Sequence, residues 1–358
     1  MDLKRIPLHE IHVSLGAKIV PFAGFEMPVR YSSDKEEHLA VRNGVGVFDV
    51  SHMGEFMVTG PKALETLQWI SSNDLSKLSV GQAQYGYLPN DKGGVVDDFI
   101  TYKMGEEEYM LVVNASNIEK DWTWITSQNK GATLKNISED IVLLAVQGPK
   151  ASDTLQKLTD ADLSSVKYYH FIEDTLAGKK MIISATGYTG AGGFELYIQK
   201  EDAKEVWKAI FEAGAEFNIL PIGLGARDTL RLEMGFCLYG NDIDEDTSPI
   251  AAGLGWVTKF TKDFINADQL KKDKEEGTEF KLVGLEIIDK GIPRHGYRIV
   301  DNEGNIMGLI TSGSISPVTN KGIALGYIKT GLHRPGTEVN IEIRNKNIKS
   351  KVVKTPFI

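Results

Sequence analysis

Two adjacent aspartates interrupt an apolar strand and are the first candidates for chemistry. Asp97 and Asp98 stand between Val95-Val96 and Phe99-Ile100. Because side chains alternate along a strand, the two carboxylates point to opposite faces. A carboxylate buried without a partner is destabilising or has a raised pKa. We therefore expect one of the two to face solvent and the other to have a partner or a functional role.

A second candidate is a glycine-rich stretch that ends in an acid. Residues 186–195 read TGYTGAGGFE, with four glycines in seven residues and Glu195 at the start of a strand. Glycine allows the backbone to approach a ligand closely. Without other support, a glycine-rich hairpin with an exposed glutamate is the simpler interpretation.

Two arginines four residues apart form a third candidate. Arg227 and Arg231 lie in a segment whose pattern predicts a helix over 222–236, and this spacing puts them on one face. Beside a crevice, two guanidinium groups suit a ligand that bears carboxylates. The plainer alternative is a surface ion pair between Asp228 and Arg231, which contributes little to stability.

The composition excludes several classes of function. The chain has one cysteine, Cys237, no histidine pair at metal-ligand spacing and no phosphate-binding loop, so we expect no metal site. The formal net charge of −9 argues against a nucleic-acid partner. No apolar run approaches the ~20 residues that span a membrane, and the first residues lack the apolar core of a signal peptide. We therefore expect a cytoplasmic protein with no membrane contact.

An internal repeat predicts how these residues are positioned. Residues 57–70 read MVTGPKALETLQWI and residues 145–158 read AVQGPKASDTLQKL, an offset of 88 residues. In each copy an apolar strand ends in glycine, and proline takes the first helical position, where its missing N–H costs nothing. Each copy continues as roughly β-α-β-β-β-α, related to the ferredoxin-like arrangement. The repeat predicts two pseudo-symmetric lobes with a crevice between them.

Turn signals and periodicity place the remaining elements of each copy. For the first copy we predict three strands and a helix that begins at a Ser116–Glu119 capping box, with the strands near 83–89, 95–103 and 109–114. For the second copy we predict strands near 168–173, 179–186 and 193–198 and a helix over 202–213. A capping box of Ser33 and Glu36 starts a further helix ahead of both copies.

The last part of the chain has a different character. From residue 281 onwards, short β-rich runs alternate with turn signals, which predicts a small all-β barrel or sandwich. We place a duplicated region at 1–262, with copies at about 50–135 and 140–215, a helical connector at 263–280 and the barrel at 281–358. The expected fold class is therefore α+β, with two ferredoxin-like lobes and a C-terminal barrel.

Ten short motifs, in order along the chain, carry a resemblance to a known family. They are FAGFEMP (22–28), FDVSHMG (48–54), GGVVDD (93–98), VNASN (113–117), QGP (147–149), TGYTG (186–190), GLGARDT (223–229), LYG (238–240), ITSG (310–313) and KTPF (354–357). Over essentially its whole length, the chain resembles the aminomethyltransferases (T-proteins) of the glycine cleavage system. The resemblance implies a folate-binding region in two lobes and a C-terminal β-barrel, arranged as a cloverleaf of three domains.

The resemblance also implies an activity. The family takes an aminomethyl group from the lipoyl arm of the H-protein, releases ammonia and forms 5,10-methylenetetrahydrofolate. It implies tetrahydrofolate as co-substrate, lipoylated H-protein as partner and no metal. The family's key aspartate corresponds to Asp98, to which we assign the catalytic role.

The family's folate contacts carry over to several residues of this chain. Glu195 and Arg227 are assigned to folate binding, with a carboxylate suited to the amino and ring N–H groups of the pterin and an arginine suited to anionic oxygens. Further contacts carry over to Met53, Tyr85, Tyr102, Asn114 and Tyr188.

Two other functions of the same superfamily remain open at this stage. One is a folate-dependent demethylase, which shares the fold and the folate pocket. The other is a non-enzymatic, folate-binding iron–sulfur assembly factor. That group carries a cysteine in its glycine-rich signature, whereas residues 186–195 contain none.

Overall fold

The computed structural model describes residues 3–358 and contains short helices and many strands. The strands are β1 (Lys4–Arg5), β2 (Lys18–Phe22), β3 (Phe25–Arg30), β4 (Gly46–Asp49), β5 (Gly54–Thr59), β6 (Ala83–Pro89), β7 (Val95–Gly105), β8 (Glu108–Val113), β9 (Thr133–Asn136), β10 (Ile141–Gln147), β11 (Phe171–Leu176), β12 (Lys179–Ser184), β13 (Gly193–Gln199), β14 (Leu220–Ile222), β15 (Phe280–Ile287), β16 (Arg298–Val300), β17 (Ile306–Ile315), β18 (Gly322–Lys329), β19 (Glu338–Ile343) and β20 (Lys346–Val353). The helices are α1 (His9–Ser14), α2 (Asp34–Asn43), α3 (Ala63–Ile70), α4 (Ile118–Ser127), α5 (Ala151–Leu155), α6 (Ala203–Gly214), α7 (Leu224–Met234) and α8 (Ala267–Glu276).

The two sequence copies build two separate sheets. The first copy forms a five-stranded sheet of order β6-β7-β8-β5-β9, and the second contributes to a six-stranded sheet of order β11-β12-β13-β10-β4-β14. In both, the first strand of the copy pairs with the fourth: β5 with β8, and β10 with β13. The predicted α+β class with two related lobes is confirmed.

One strand breaks the symmetry of the two sheets. In the first sheet, β5 pairs directly with β9, which follows the copy's second helix. In the second sheet, β4 from the N-terminal segment lies between β10 and β14, antiparallel to β10 and parallel to β14. The buried carboxylate of Asp49 at the end of β4 binds the buried His12 Nε2 of α1 at 2.8 Å. The N-terminal segment is thus part of the second lobe.

A buried apolar core fixes the second lobe. All seven residues of β10 are buried, and apolar side chains of β10, β12, β13 and α6 pack in one cluster around it. Burial on this scale is the main stabilising contribution in a domain of this size. The strands that carry Glu195 and its neighbours are therefore held on a rigid frame.

The C-terminal strands close into a barrel. Six strands follow one another around it in the order β15-β18-β17-β16-β19-β20. Its interior is filled by aliphatic side chains such as Leu285, Ile299, Ile310, Ile341 and Val352. The predicted all-β barrel is confirmed.

The chain divides into two compact units. The first contains residues up to Leu67, Leu75–Tyr85 and Phe99–Asp228, and the second contains Gln68–Asp74, Gly86–Asp98 and Thr229–Ile358. The division falls inside α3, β6, β7 and α7. The domain boundaries proposed from the sequence remain a prediction.

Of the two predicted capping boxes, one is used. Ser33 Oγ accepts from the backbone N–H of Glu36 at the start of α2. Ser116 caps no helix. A 3₁₀ turn over Ala115–Asn117 precedes α4, which begins at Ile118 with no side-chain cap. The serine was correctly placed near a helix start, but the tighter first turn moves it inside the helical segment.

Candidate active site

Glu195 is a buried acid in the second lobe. It lies on β13 between Ala145 of β10 and Ser184 of β12, and only 8% of its surface is exposed. The Thr186 hydroxyl donates to its Oε2. Burial raises the pKa of Glu195 above its ordinary value, although the Thr186 hydrogen bond and the charge of Arg227 reduce that rise. The simpler sequence interpretation, an exposed glutamate on a hairpin, is wrong.

Arg227 lies beside Glu195 and stacks on an aromatic ring. Its guanidinium carbon is 4.8 Å from the centre of the Tyr188 ring, which is the geometry of a cation–π contact. The loop that carries Tyr188 is fixed on both sides. Gln147 Nε2 donates to the carbonyl of Thr186 at 3.1 Å, and Thr189 donates to Gln147 Oε1 at 2.7 Å. The pair of Arg227 and Tyr188 therefore has a defined position.

The start of α7 sets the position of Arg227. The buried carboxylate of Glu37 accepts the backbone N–H of Gly223 at 2.7 Å, and it also accepts from Tyr31 and Ser32 at 2.6 and 2.8 Å. A Cβ at Gly223 would stand 2.3 Å from the carbonyl oxygen of Val29. Only glycine allows the chain to enter the helix this close to β3.

The glycines of the 186–195 stretch have a structural explanation. A Cβ at Gly187 would stand 2.1 Å from Gln147 Oε1, and one at Gly193, where φ is +123°, would stand 2.2 Å from the carbonyl oxygen of Val146. Both clashes are with β10 and its terminal side chain. For these two glycines the close neighbour is the protein's own strand, and close approach of this stretch to a ligand stays a prediction.

Tyr102 has a different position from the one expected of a ligand contact. Its side chain is fully buried, and its hydroxyl lies 3.1 Å from Thr186 Oγ1 and accepts from Tyr197 at 2.9 Å. A side chain with no exposed surface has no face to offer a ligand. Tyr102 instead contacts Thr186, which in turn donates a hydrogen bond to Glu195.

Three further residues with assigned ligand contacts are half-buried in the first unit. Met53 ends a turn in which its N–H donates to Val50 at 3.0 Å. Asn114 follows β8 and its carbonyl accepts the N–H of Asn117 at 2.9 Å. Tyr85 lies on β6. Each has exposed surface, so each is able to touch a ligand, and their contacts remain predictions.

The two adjacent aspartates divide as strand alternation predicts. Asp97 is fully buried, whereas Asp98 is half-buried and has surface available to a ligand. Asp98 belongs to the second unit. Burial raises the pKa of the Cys237 thiol, and the nearby charges of Asp242 and Asp98 raise it further. Asp98 is thus the accessible member of the pair and a source of negative charge near Cys237.

Arg231 has a structural role, which the sequence did not predict. It is 1% exposed, and its Nη1 binds Asp242 Oδ2 at 2.7 Å while Nη2 donates to Ser312 at 2.8 Å. Asp228, the partner considered from helical spacing, is exposed. Arg231 is therefore unavailable to an anionic ligand, and Arg227 alone keeps that assignment.

Two buried titratable residues were not singled out from the sequence. His52 is 2% exposed, its ring meets Phe22 edge-on at 5.5 Å, and burial, together with the charge of Arg227, lowers the pKa of His52 to about 3. Glu55 is 1% exposed, and among the described residues its Oε2 has no hydrogen-bond partner. Burial raises the pKa of Glu55 well above its usual value. An acid inside the apolar run GEFMVT was the available signal for Glu55.

Two features are absent from residues 3–358. No group of three or more His, Cys, Asp or Glu side chains is placed to hold a metal ion. No helix in the same range is long and apolar enough to cross a membrane.

Comparisons with known proteins agree with this architecture. A family model described as the GCVT N-terminal domain matches residues 8–262, and one described as the glycine cleavage T-protein C-terminal barrel domain matches residues 281–358. The chain is 57% identical over 359 residues to an aminomethyltransferase of Bacteroides thetaiotaomicron and 56% identical over 357 residues to one of Flavobacterium psychrophilum, in each case covering 99% of both chains.

A solved structure extends the likeness to three dimensions. The crystal structure of glycine cleavage system aminomethyltransferase T from Bartonella henselae is 35% identical to this chain, with a TM-score of 0.93. The match covers 99% of this chain and 98% of that one. The chain therefore belongs to the glycine cleavage T-protein family of aminomethyltransferases.

Proposed function

We propose that the protein transfers the aminomethyl carbon from the lipoyl arm of H-protein to tetrahydrofolate, with release of ammonia and formation of 5,10-methylenetetrahydrofolate. The observation that carries this proposal is the buried Glu195 beside Arg227, in a chain that is 57% identical over its whole length to an aminomethyltransferase. A carboxylate and a cation at adjacent positions suit a ligand with N–H donors at one end and anionic oxygens at the other.

The residues present fit tetrahydrofolate. A carboxylate has about four acceptor positions, and the Thr186 hydroxyl occupies one of them on Glu195. The remaining positions can take the paired amino and ring N–H groups of a pterin. The amide and carboxylate oxygens of the co-substrate need a cation, and Arg227 is half-buried and held against Tyr188. Glu195 and Arg227 would hold the co-substrate.

Asp98 is proposed as the catalytic group. When bound, tetrahydrofolate supplies the nitrogen atoms that accept the one-carbon unit. The carboxylate of Asp98 stabilises positive charge that develops at the transferred carbon and accepts or returns a proton. Its place on β7 gives it a fixed position, and its half-exposed side chain is accessible to substrate.

The proposed partner is the lipoylated H-protein, because the aminomethyl group is bound to its lipoyl arm. Every step assigned to this chain is binding, charge stabilisation or proton transfer. The proposal therefore requires no metal.

The test is an assay of ammonia release from aminomethylated H-protein, with and without tetrahydrofolate. We expect ammonia and 5,10-methylenetetrahydrofolate in equal amounts, and much slower ammonia release without tetrahydrofolate. Dimethylglycine or sarcosine in place of the H-protein, with an added two-electron acceptor because oxidation of an N-methyl group releases two electrons, distinguishes the demethylase alternative. Formation of 5,10-methylenetetrahydrofolate from either amine, with no reaction of the H-protein, would contradict the proposal.

A further inference from the structure

Three buried hydroxyl groups lie in a line that ends on Glu195, and a fourth branches from it. Tyr197 donates to the Tyr102 hydroxyl at 2.9 Å, the Tyr102 hydroxyl lies 3.1 Å from Thr186 Oγ1, and Thr186 donates to Glu195 Oε2. Ser184 Oγ branches from this line, 3.3 Å from the Tyr102 hydroxyl and 2.9 Å from Thr186 Oγ1. The line joins β7 of the five-stranded sheet to β12 and β13 of the six-stranded sheet.

The proton count fixes the direction of the line. Each hydroxyl has one proton to donate. Because Thr186 gives its proton to Glu195, Tyr102 is the donor in its contact with Thr186, and Tyr197 donates to Tyr102. All three bonds point towards the carboxylate. Bonds aligned in this way polarise one another, and this strengthens the last bond to the anion.

Burial protects this arrangement from water. The exposed fractions are 3% for Tyr197, 0% for Tyr102, 0% for Ser184 and 3% for Thr186. No solvent competes for these hydroxyls, so loss of one leaves its neighbour without a replacement partner. In a low-dielectric interior such a loss costs more than on a surface.

Glu195 is the group that changes protonation when pH changes, because the phenols around it keep their protons. Burial and then the charge of Glu195 raise the pKa values of Tyr102 and of Tyr168, so both phenols keep their protons. Burial is also the first cause that raises the pKa of Tyr197, with smaller contributions from Tyr102, Glu195 and Glu55. Arg227 is the cation that favours the ionised form of Glu195.

We propose that this hydroxyl line is a positioning device that holds Glu195 as an oriented carboxylate and thereby sets the pH range in which the site binds tetrahydrofolate. The proposal rests on the function proposed above. Burial opposes ionisation of Glu195 and keeps its pKa above the ordinary value, and the line together with Arg227 reduces that rise. Tyr102, Tyr197 and Ser184 act through Thr186 and have no contact with the ligand.

The first test is the pH dependence of tetrahydrofolate binding, measured by anaerobic calorimetry on the full chain. Affinity falls as pH decreases through the pKa of Glu195, because a protonated carboxyl loses acceptor positions. Thr186→Val moves the midpoint up by about one to two pH units, since a hydrogen bond to a charged group is lost. Tyr102→Phe moves it less, and Tyr197→Phe moves it least. Thr186→Ser restores the original midpoint.

Tyr109→Phe is the matched control. Tyr109 is fully buried on β8 of the same five-stranded sheet, and its hydroxyl has no hydrogen-bond partner among residues 3–358. The variant removes a buried phenol oxygen outside the line, so it leaves the midpoint unchanged. A purely structural effect of losing a buried hydroxyl would move both Tyr109→Phe and Tyr102→Phe.

The second test follows the carboxyl group without any ligand. The ¹³C resonance of the Glu195 side chain, assigned with Glu195→Gln, reports its protonation in the free protein, and the variants should rank in the same order. Equal midpoints in the wild type, Thr186→Val and Tyr109→Phe would overturn the proposal. Absence of tetrahydrofolate binding at every pH would instead contradict the proposed function, and the ¹³C titration would still decide on the hydroxyl line.

Discussion

The two copies of the repeat place different side chains at corresponding positions. In the second copy, Ala145 of β10 lies opposite Glu195 of β13. Eighty-eight residues earlier, Met57 of β5 lies opposite Met110 of β8. The backbone register is the same, but one pair is apolar and the other contains the buried acid of the candidate site. The two copies therefore share a strand pairing and differ in the side chains that this pairing places opposite each other.

The first copy has a buried acid of its own, with a different environment. Glu55 stands where the second copy has Leu143. Burial raises the pKa values of both Glu55 and Glu195, but Glu195 has the Thr186 hydroxyl and Arg227 to oppose that effect. Glu55 has an Oε2 without a hydrogen-bond partner among the described residues. The pKa values of both acids therefore lie above the ordinary value, but only Glu195 has a hydrogen bond and a cation that favour its ionised form.

The two copies are thus expected to differ in their roles. Asp98 of the first copy is assigned to chemistry, while Glu195 of the second copy and Arg227 of the helix that follows are assigned to binding. Variants in the two copies should then change different kinetic quantities.

The largest effect is expected from Asp98→Asn. The amide has nearly the same shape but cannot accept a proton or stabilise positive charge as a carboxylate does. Turnover with aminomethylated H-protein should fall by about 10²–10⁴-fold, while tetrahydrofolate binding is retained. Near-normal turnover in the ammonia assay would remove the catalytic role from Asp98.

A smaller effect, on affinity, is expected from Glu195→Ala. Loss of hydrogen bonds to a charged acceptor should raise the dissociation constant for tetrahydrofolate by about 10- to 100-fold. The control is Met110→Ala, at the corresponding position of the first copy, which costs stability and leaves the dissociation constant unchanged. Calorimetry that shows equal affinity for the wild type and Glu195→Ala would count against the assignment.

The smallest effect is expected from Glu55→Gln, and it concerns stability. The folded state holds the Glu55 proton more tightly than the unfolded state, so the free energy of unfolding falls as pH rises above the unfolded pKa of ~4.3. Glu55→Gln has no such proton to lose. Its free energy of unfolding therefore rises relative to that of the wild type by about 1.4 kcal/mol per pH unit, until the pH passes the pKa of Glu55 in the folded protein. Urea unfolding between pH 5 and 8 measures the difference.

The matched control for this variant is Glu173→Gln. Glu173 lies on β11 with an exposed side chain, so its substitution should leave the pH dependence of unfolding as it is. A parallel pH dependence for Glu55→Gln and the wild type would mean that Glu55 is ionised in the folded protein.

Local patterns predicted much of the fold because local physics decides those features. The Gly-Pro steps at 60–61 and 148–149 predicted the helices α3 and α5, and alternating runs predicted the barrel strands. The insertion of β4 between β10 and β14 joins segments far apart in sequence, and no periodicity indicates it.

The site was predicted through motifs more than through physics. Strand alternation separated Asp97 from Asp98, but the burial of Glu195 depends on its place in the middle of a sheet. Arg231 pairs with Asp242, eleven residues away in a loop, a partner that helical spacing does not indicate. Such partners are decided by packing between segments that are far apart in sequence, and the pattern of a single sequence does not indicate which segments meet.

The most direct test of the division of roles is the rate of ammonia release from aminomethylated H-protein as tetrahydrofolate is raised to saturation, in Asp98→Asn and Glu195→Gln. A binding defect is overcome by excess co-substrate, and a chemical defect is not. We predict that Glu195→Gln approaches the wild-type rate at saturation, while Asp98→Asn remains slow at every concentration. Recovery of Asp98→Asn at high tetrahydrofolate, with Glu195→Gln still slow, would contradict the assigned roles.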